Sequence, residues 1–246
     1  MLLLSLVLAS VIGLTLGLLG GGGSILTVPV LVYALGYGAK PAIAMSLPVV
    51  GVTSLIGASL HWRLGNVNIG TAVLFGLLAM AGSYTGAKLG LLLSGRVQLI
   101  LLAIVMIAAA VSMLRGRRGD ADASTSTKPR LALIVPVALG VGVLTGVVGI
   151  GGGFLVVPAL VLLAKVPMRE AIGTSLLVIS MNAASGFAGY VGAVEIDWRF
   201  LGGFTAAAVA GALVGTALTS KVPQATLKRA FAVFLIALGA FVIYMN

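Results

Sequence analysis

Long apolar stretches alternate along the chain with short polar or glycine-rich interruptions. A helix needs about 20 apolar residues to cross a bilayer, and most of the stretches are near that length. Two of them are too short to cross as simple helices, and each follows a cluster of glycines. The pattern predicts an all-α, polytopic integral membrane protein. The apolar stretches are 2–19, 25–36, 42–60, 69–93, 97–114, 131–148, 154–164, 171–190, 199–220 and 225–245.

Composition narrows the possible functions. Hydrophobic residues make up 60% of the 246 residues and charged residues 8%, which excludes a soluble enzyme, a disordered chain and a DNA-binding domain. The net charge of +10 is typical of membrane proteins with basic cytoplasmic loops, so the expected partner is the lipid bilayer and not nucleic acid. Because the chain has no cysteine and one histidine, we expect no metal or other cofactor. The five carboxylates are scattered over loops with no nucleophile beside a base, so we predict no enzymatic activity.

The chain contains two similar halves, which meet at its clearly polar stretch, 115–130. The glycine-rich segment 17–24 precedes Pro29, and 146–153 precedes Pro158 at the same spacing, so the two segments align without a gap. Fifteen of the 41 positions from 17 to 57 are identical to their partners in this alignment, which indicates a duplication. We therefore predict a first membrane repeat at 1–114, a polar cytoplasmic linker at 115–130 and a second membrane repeat at 131–246. Internal repeats of this kind are typical of secondary transporters.

Charge favours an inverted arrangement of the two repeats. If each half has five elements and the second half is inverted, eleven Lys and Arg residues lie on one side of the membrane and four on the other. A parallel arrangement with four crossings in each half divides them eight to seven. Since basic residues concentrate on the cytoplasmic side, the inverted arrangement is preferred, with both termini outside.

The two glycine clusters are candidate binding segments for an anion. A helix that starts after such a break presents free backbone N–H groups and the positive end of its dipole, and glycine lets an anion approach closely. We expect the two breaks to converge near the membrane midplane. The alternative is that these glycines serve only helix packing. The candidate substrate-binding residues of the clusters are Gly20, Gly21, Gly22, Gly23, Ser24, Gly149, Gly151, Gly152 and Gly153.

Uncharged polar residues within the apolar stretches are further candidates for substrate binding. Thr53 and Asn182 are polar at the same position of the two repeats, and either side chain can hydrogen-bond a substrate oxygen. The alternative is that such side chains hold helices together. The complete set of these candidates is Ser46, Thr53, Thr174, Ser175 and Asn182.

Two titratable residues, His61 and Glu195, are candidates for coupling transport to protons. The alternative for His61 is an interfacial anchor together with Trp62 and Arg63, and the alternative for Glu195 is a solvated loop. Export of an anion can use the inside-negative potential alone, at about 2.3 kcal/mol per charge and 100 mV. The sequence therefore favours electrical driving, with His61→Gln expected to retain substantial transport.

The glycine-rich break with its proline, present in both halves, is followed by an Ala-Ile-(x2)-Ser-Leu pattern at Ala42–Leu47 and Ala171–Leu176. Together these motifs resemble the sulfite exporter TauE/SafE family over nearly the whole chain. The resemblance implies an inner-membrane permease for sulfur-containing anions such as sulfite and sulfonates. Ser24, which stands where the second copy has Gly153, is a departure, so the two halves need not contact substrate equally.

These observations predict a secondary transporter of the cell inner membrane that moves a small anion, with sulfite or a sulfonate as the leading substrate. Transport would proceed by alternating access, the two repeats rocking about the glycine breaks. The alternatives are a passive anion channel and a non-transporting scaffold subunit of a membrane assembly. The identity of the anion, the direction, the coupling ion and homo-oligomerisation stay open.

Overall fold

The computed structural model of the chain describes residues 2–115, 131–148, 153–162 and 166–219, together with single positions between 222 and 244. Its described residues form helices and connections without a strand, as the apolar pattern predicts. The helices are α1 Leu2–Leu19, α2 Gly22–Pro29, α3 Ala39–Arg63, α4 Ile69–Leu92, α5 Gly95–Arg115, α6 Leu131–Val148, α7 Gly153–Leu162, α8 Met168–Tyr190 and α9 Trp198–Thr219. The described positions from 239 to 242 are also helical.

A sharp turn joins α1 to α2 and folds α2 back against α1. Gly20 has a φ of +75°, a left-handed conformation that ends many helices and that glycine adopts without steric cost. Pro29 is the last residue of α2, and the chain continues as a π-helical turn over Val30–Ala34. A proline disturbs the α-helical hydrogen-bond pattern, which accounts for the change of helix type at this point.

Helices α1 and α9 approach each other backbone to backbone. A Cβ atom at any of four glycines in this contact would overlap a carbonyl oxygen of the opposite helix. On each helix the two glycines are four residues apart, the spacing that allows close crossing of helices in a membrane. The four glycines are Gly13 and Gly17 on α1 and Gly211 and Gly215 on α9.

Helices α4 and α6 make a second contact of the same kind, and there too an added Cβ would overlap a carbonyl oxygen of the opposite helix. In the repeat alignment Gly13 is equivalent to Gly142, and Gly82 is equivalent to Gly211, so the two contacts use equivalent positions. A helix of the first half therefore packs against a helix of the second half in both contacts. The glycines of the α4–α6 contact are Gly82 and Gly86 on α4 and Gly142 and Gly146 on α6.

Helices α3 and α8 pack against each other and run antiparallel. Gly51 faces Ala183 and Gly57 faces Leu176, so the residue numbers rise along one helix as they fall along the other. We name the two ends of the bundle after residues at the two ends of α3. Tyr37, just before α3, marks the Tyr37 end, and the last residue of α3 marks the Arg63 end.

The other helices follow one of these two directions. Helix α4 runs parallel to α8, because Gly76 faces Met181 while the hydroxyl of Ser185 donates to the Met80 carbonyl at 2.8 Å. Helix α9 begins at the Tyr37 end, where the rings of Tyr37 and Phe200 lie 5.2 Å apart. Residue numbers rise in the same direction along α1 and α9 where the two helices touch, so these helices are parallel. Helices α4 and α6 are parallel for the same reason. Helices at equivalent positions of the sequence repeat, such as α3 and α8, thus run in opposite directions.

The short helices α2 and α7 are enclosed by longer ones. Ile25 and Val28 of α2 and Val157 of α7 are fully buried in one apolar cluster with residues of α3 and α8. The outer surface is also apolar, with exposed side chains that include Leu55, Leu77 and Val214. An exposed surface of this kind requires an apolar solvent such as lipid.

By length and composition, four helices within the described part of the chain can cross a membrane. They are Ala39–Arg63, Ile69–Leu92, Arg169–Tyr190 and Trp198–Leu218. Shorter apolar helices, including α1 and the described part of α6, pack directly against them.

Replacing Gly211 by alanine tests the importance of the close helix contact. The new Cβ would overlap the Ser10 carbonyl, which side-chain rotation cannot relieve, and we expect a loss of about 1–3 kcal/mol in unfolding free energy. Gly202 on the same helix has no atom within 4 Å of an added Cβ, so Gly202→Ala is the matched control. The control should be neutral or up to about 1 kcal/mol more stable, because alanine favours helix. Thermal unfolding in detergent measures both variants, and equal stabilities would refute a contact limited by glycine.

Candidate functional site

The first glycine cluster lies against the start of α8. A Cβ on Gly20 would come 3.1 Å from the Ser175 hydroxyl oxygen and 3.2 Å from the Ile172 Cα, so the turn touches α8 within its first two turns. The N-cap of α2, Gly21, has no side chain to cap the helix. The hydroxyl of Ser24 is buried and donates to the Gly21 carbonyl at 2.7 Å, which leaves the next backbone N–H groups of α2 without this cap.

The second cluster is described only at its edges. Gly149, Gly151 and Gly152 lie outside the described residues, whereas α6 ends at Val148 and α7 begins at Gly153. The last turn of α6 nevertheless lies against the end of α8, because the Gly146 carbonyl accepts a hydrogen bond from the Tyr190 hydroxyl at 3.3 Å. Tyr190 is the last residue of α8, so this break starts at the Tyr37 end of the bundle.

The expectation that the two breaks converge near the midplane is therefore corrected. The first break lies beside the N-terminal turns of α8, whereas α6, the helix before the second cluster, ends beside the C-terminal residue of α8, on the order of 25 Å away at about 1.5 Å per residue. The reason is the length of the preceding helix. Helix α1 has 18 residues and spans about 27 Å, so it has nearly traversed the bundle before its glycines turn the chain back.

Most of the candidate hydroxyl groups are already hydrogen-bonded. Three of them donate within their own helix: Ser46 to the Ile43 carbonyl at 2.7 Å, Thr53 to Val49 at 2.6 Å and Ser175 to Ile172 at 2.8 Å. These three bonds lie within single helices. The hydroxyl of Thr174 does join two elements, because it accepts from the backbone N–H of Asn68 at 2.9 Å.

Asn182 is the candidate whose side chain lacks partners. It is fully buried in α8, and neither its amide nitrogen nor its amide oxygen has a hydrogen bond, while its backbone carbonyl accepts from Ser83 at 3.0 Å. Ser54 on α3 is also fully buried with an unpaired hydroxyl. Both residues lie within one helical turn of the contact between Gly51 and Ala183. The middle of the α3–α8 crossing thus holds unpaired donors in an apolar core, at a cost of about 1–3 kcal/mol each.

His61 does not lie at the surface, where an interfacial anchor would have to be. Trp62 and Arg63 are exposed, but His61 is only 1% exposed. Helical phase explains the difference, since His61 lies two turns after buried Ser54 and so shares its face, whereas the next two residues are rotated away. The ring faces the backbone carbonyl of Gly17, yet neither ring nitrogen makes a hydrogen bond of good geometry.

Glu195, the second candidate for coupling, is exposed in the connection between α8 and α9. The neighbouring Asp197 is also exposed and accepts a hydrogen bond from the Tyr37 hydroxyl. Partial burial, together with the charge of Asp197 and this hydrogen bond, raises the pKa of Tyr37 above its usual value. These contacts tie the two connections together at the Tyr37 end. They place no buried group beside Glu195.

Sequence reasoning missed the buried polar pair formed by Gln98 and Tyr190. The amide nitrogen of Gln98 donates to the Val147 carbonyl at 2.7 Å and to the Tyr190 hydroxyl at 3.2 Å. Tyr190 in turn donates to the carbonyls of the last turn of α6 at 3.3 Å. The pair supplies donors to carbonyls that the end of a helix leaves free. Gln98 has no polar residue at its repeat position, Leu227, so no pattern in the sequence marked it.

The described ranges contain no group of three or more His, Cys, Asp or Glu residues that could hold a metal ion. The buried polar side chains of these ranges also include no Lys, Arg, Asp or Glu. An anion bound in the described core would therefore be held by uncharged hydrogen-bond donors.

Helices long enough to cross a membrane, an apolar outer surface and an uncharged polar centre define an integral membrane protein of the all-helical class. The family model described as Sulfite exporter TauE/SafE matches residues 5–242. The chain belongs to the sulfite exporter TauE/SafE family, a family of membrane transporters.

Curated relatives agree with this assignment. A probable membrane transporter protein of Xylella fastidiosa is 34% identical over 242 residues, covering 96% of this chain and 92% of the relative. The probable membrane transporter protein YdhB of Bacillus subtilis is 28% identical over 225 residues, covering 89% and 91%. A probable membrane transporter protein of Methanocaldococcus jannaschii is 29% identical over 199 residues, covering 77% and 73%. No solved structure matches the chain.

Replacing Gln98 by leucine tests the buried polar pair. The variant keeps the side-chain size but leaves the Val147 carbonyl without its donor at 2.7 Å, so we expect a loss of about 1–3 kcal/mol in unfolding free energy. Tyr190→Phe keeps the bond between Gln98 and Val147 and should cost less. Thermal unfolding of both variants in detergent gives the order of stability. The reverse order would contradict the assignment of Gln98 as the main donor to the end of α6.

Proposed function

We propose that the protein is a secondary transporter that carries a small oxyanion, of the sulfite or sulfonate type, across the cell inner membrane. The family assignment supports a membrane transporter. The observation that carries the rest of the proposal is the unpaired and fully buried side chain of Asn182 in the middle of the α3–α8 crossing. Ser54, whose buried hydroxyl is also unpaired, lies within one helical turn of the same crossing on α3. Buried polar groups usually have partners, so unpaired donors at this position point to a ligand.

The chemistry of these groups suits an oxyanion. The Asn182 amide offers two N–H donors and Ser54 offers one O–H donor, whereas the ionised oxygens of sulfite or a sulfonate accept hydrogen bonds and donate none. The core described here has no buried Lys or Arg to hold the anion permanently. A site built from neutral donors binds weakly enough to release its substrate on the other side, as transport requires.

The directions of the helices support two inverted repeats with several membrane crossings. Helices α3 and α8 are antiparallel, as an inverted second repeat requires. The four cations that the inverted arrangement places outside belong to helix ends at the Tyr37 end of the bundle. They are Lys40, Lys88, Arg96 and Arg199. In our proposal the Arg63 end faces the cytoplasm, and the 115–130 linker, which lies largely outside the described residues, is on that side.

Substitution of Asn182 tests the proposed site. Asn182→Leu keeps the approximate size but removes both polar atoms, and we expect at least a tenfold loss of labelled sulfite flux in proteoliposomes. Thr53→Val is the matched control, because the Thr53 hydroxyl already bonds to the Val49 carbonyl at 2.6 Å, and this variant should retain flux. A panel of sulfite, sulfate and short sulfonates identifies the preferred anion.

Three outcomes would contradict the proposal. Folded Asn182→Leu protein with unchanged flux would show that the buried amide does not contact substrate. Flux that rises linearly with anion concentration, without saturation, would indicate a passive channel. Absence of flux for every anion in the panel would favour the non-transporting scaffold.

Reporter fusions test the proposed orientation. The inverted arrangement places a reporter fused after Asn246 in the periplasm and a reporter inserted in the 115–130 linker in the cytoplasm. Alkaline phosphatase activity should therefore appear only for the terminal fusion, and a cytoplasmic fluorescent reporter only for the linker insertion. Reporters that place both positions on the same side would refute inverted repeats.

A further inference from the structure

Backbone carbonyl oxygens lie close to buried His61. The ring faces the carbonyl of Gly17 in the last turn of α1, where a helix carries the negative end of its dipole. The Cβ of His61 and the carbonyl of Asn66 both lie against Gly173. Such a site provides hydrogen-bond acceptors, which suit an imidazolium with two N–H donors.

Thr216 of α9 adds a hydroxyl to the same place. Its oxygen would lie 3.0 Å from a Cβ on Gly17 and 4.0 Å from one on Gly57, one helical turn before His61. The side chain is 2% exposed, and its hydroxyl has no hydrogen-bond partner. Two buried and unpaired polar side chains from different helices therefore both lie near Gly17 at the end of α1.

The equivalent position in the second half is built differently. In the repeat alignment Tyr190 is the equivalent of His61, and it contacts Gly146, which is the equivalent of Gly17. There the hydroxyl of Tyr190 and the amide of Gln98 satisfy the helix carbonyls. A tyrosine is therefore sufficient to cap this kind of helix end. The imidazole of His61 at the end of α1 can also bind a proton, a property that the capping of a helix end does not require.

Few charged groups surround the ring. Helix α1 and the 64–68 connection carry no titratable side chain, and α9 carries only Arg199, at the opposite end of the bundle. Helix α8 carries Arg169 and Glu170 in its first turn, one turn from Gly173. On α3 itself Arg63 is exposed to solvent. The local acceptors are thus the carbonyl and hydroxyl oxygens, with Glu170 as the carboxylate within one turn of the contact.

We propose that His61 is a proton-binding site, with the Gly17 carbonyl and the Thr216 hydroxyl oxygen as acceptors for the imidazolium. The proton is taken from water as the junction of α1 and α2 opens and returns to water on release. Its uptake is coupled to movement of the anion, a step that rests on the proposed transport function. This proposal replaces the expectation of purely electrical driving, which treated His61 as a surface anchor.

The single histidine allows the site to be observed directly. The full chain, purified through a histidine-free tag and labelled with 15N-histidine in nanodiscs, gives the NMR signals of one imidazole. Between about pH 8 and pH 5 the ring should convert from neutral to imidazolium.

Thr216→Val should weaken proton binding at least about threefold, because an acceptor is lost. Thr15→Val, whose hydroxyl bonds within α1, is the matched control and should change nothing. A ring that stays neutral at pH 5, or a titration that Thr216→Val leaves unchanged, overturns the proposal.

Flux measurements test the coupling. In proteoliposomes with the potential held at zero by potassium and valinomycin, wild-type sulfite flux should respond to a pH gradient. His61→Tyr, which installs the residue of the equivalent position, should lose the response to the pH gradient, whereas Tyr190→Phe should keep it. An unchanged response in His61→Tyr overturns the coupling. Absence of flux for the whole anion panel refutes the transport function, while the NMR titration still decides whether His61 binds a proton.

Discussion

The close approach of helix backbones at glycines is the interaction on which the rest of the structure depends. In lipid no hydrophobic force brings apolar helices together, so association relies on packing and hydrogen bonds. At the α1–α9 and α4–α6 contacts, a Cβ in place of glycine would overlap a carbonyl oxygen. Both contacts join a helix of one half to a helix of the other. The two halves are therefore interlocked and cannot be treated as separate bodies placed side by side.

This interlocking constrains how the protein can move. Rocking of one half against the other, as the repeat pattern suggested, would have to separate both glycine contacts at once. The elements with fewer such contacts are the short helices α2 and α7, which follow the glycine breaks and lie against α3 and α8. Motion of α2 about Gly20, whose φ is +75°, leaves the α1–α9 contact intact. The glycine-paired helices therefore form a frame against which α2 and α7 pack.

Hydropathy predicted the fold better than it predicted the site. The apolar stretches 2–19 and 131–148 match α1 and α6 at both ends, because long apolar runs bounded by glycine or charge have few other structures. The predicted position of the first break near the midplane was wrong, since that position depends on how far the 18-residue helix α1 reaches across the bundle. Asn182 was predicted as a candidate, whereas the burial of His61 depends on helical phase and on the packing of α1. The role of Gln98 could not be predicted from the sequence, because a single glutamine in an apolar helix forms no motif or repeat.

The two ends of the bundle differ in how the carbonyls at the end of a helix are satisfied. At the Tyr37 end, Tyr190 and Gln98 donate to the carbonyls that end α6, although the amide oxygen of Gln98 is buried without a partner. At the Arg63 end the same position holds His61, which leaves polar atoms unpaired in an otherwise closed core. An unpaired buried group costs about 1–3 kcal/mol, so a proton bound at His61, as we propose, would recover free energy at the Arg63 end. At the Tyr37 end the helix carbonyls already have their donors, so a ligand there would recover less.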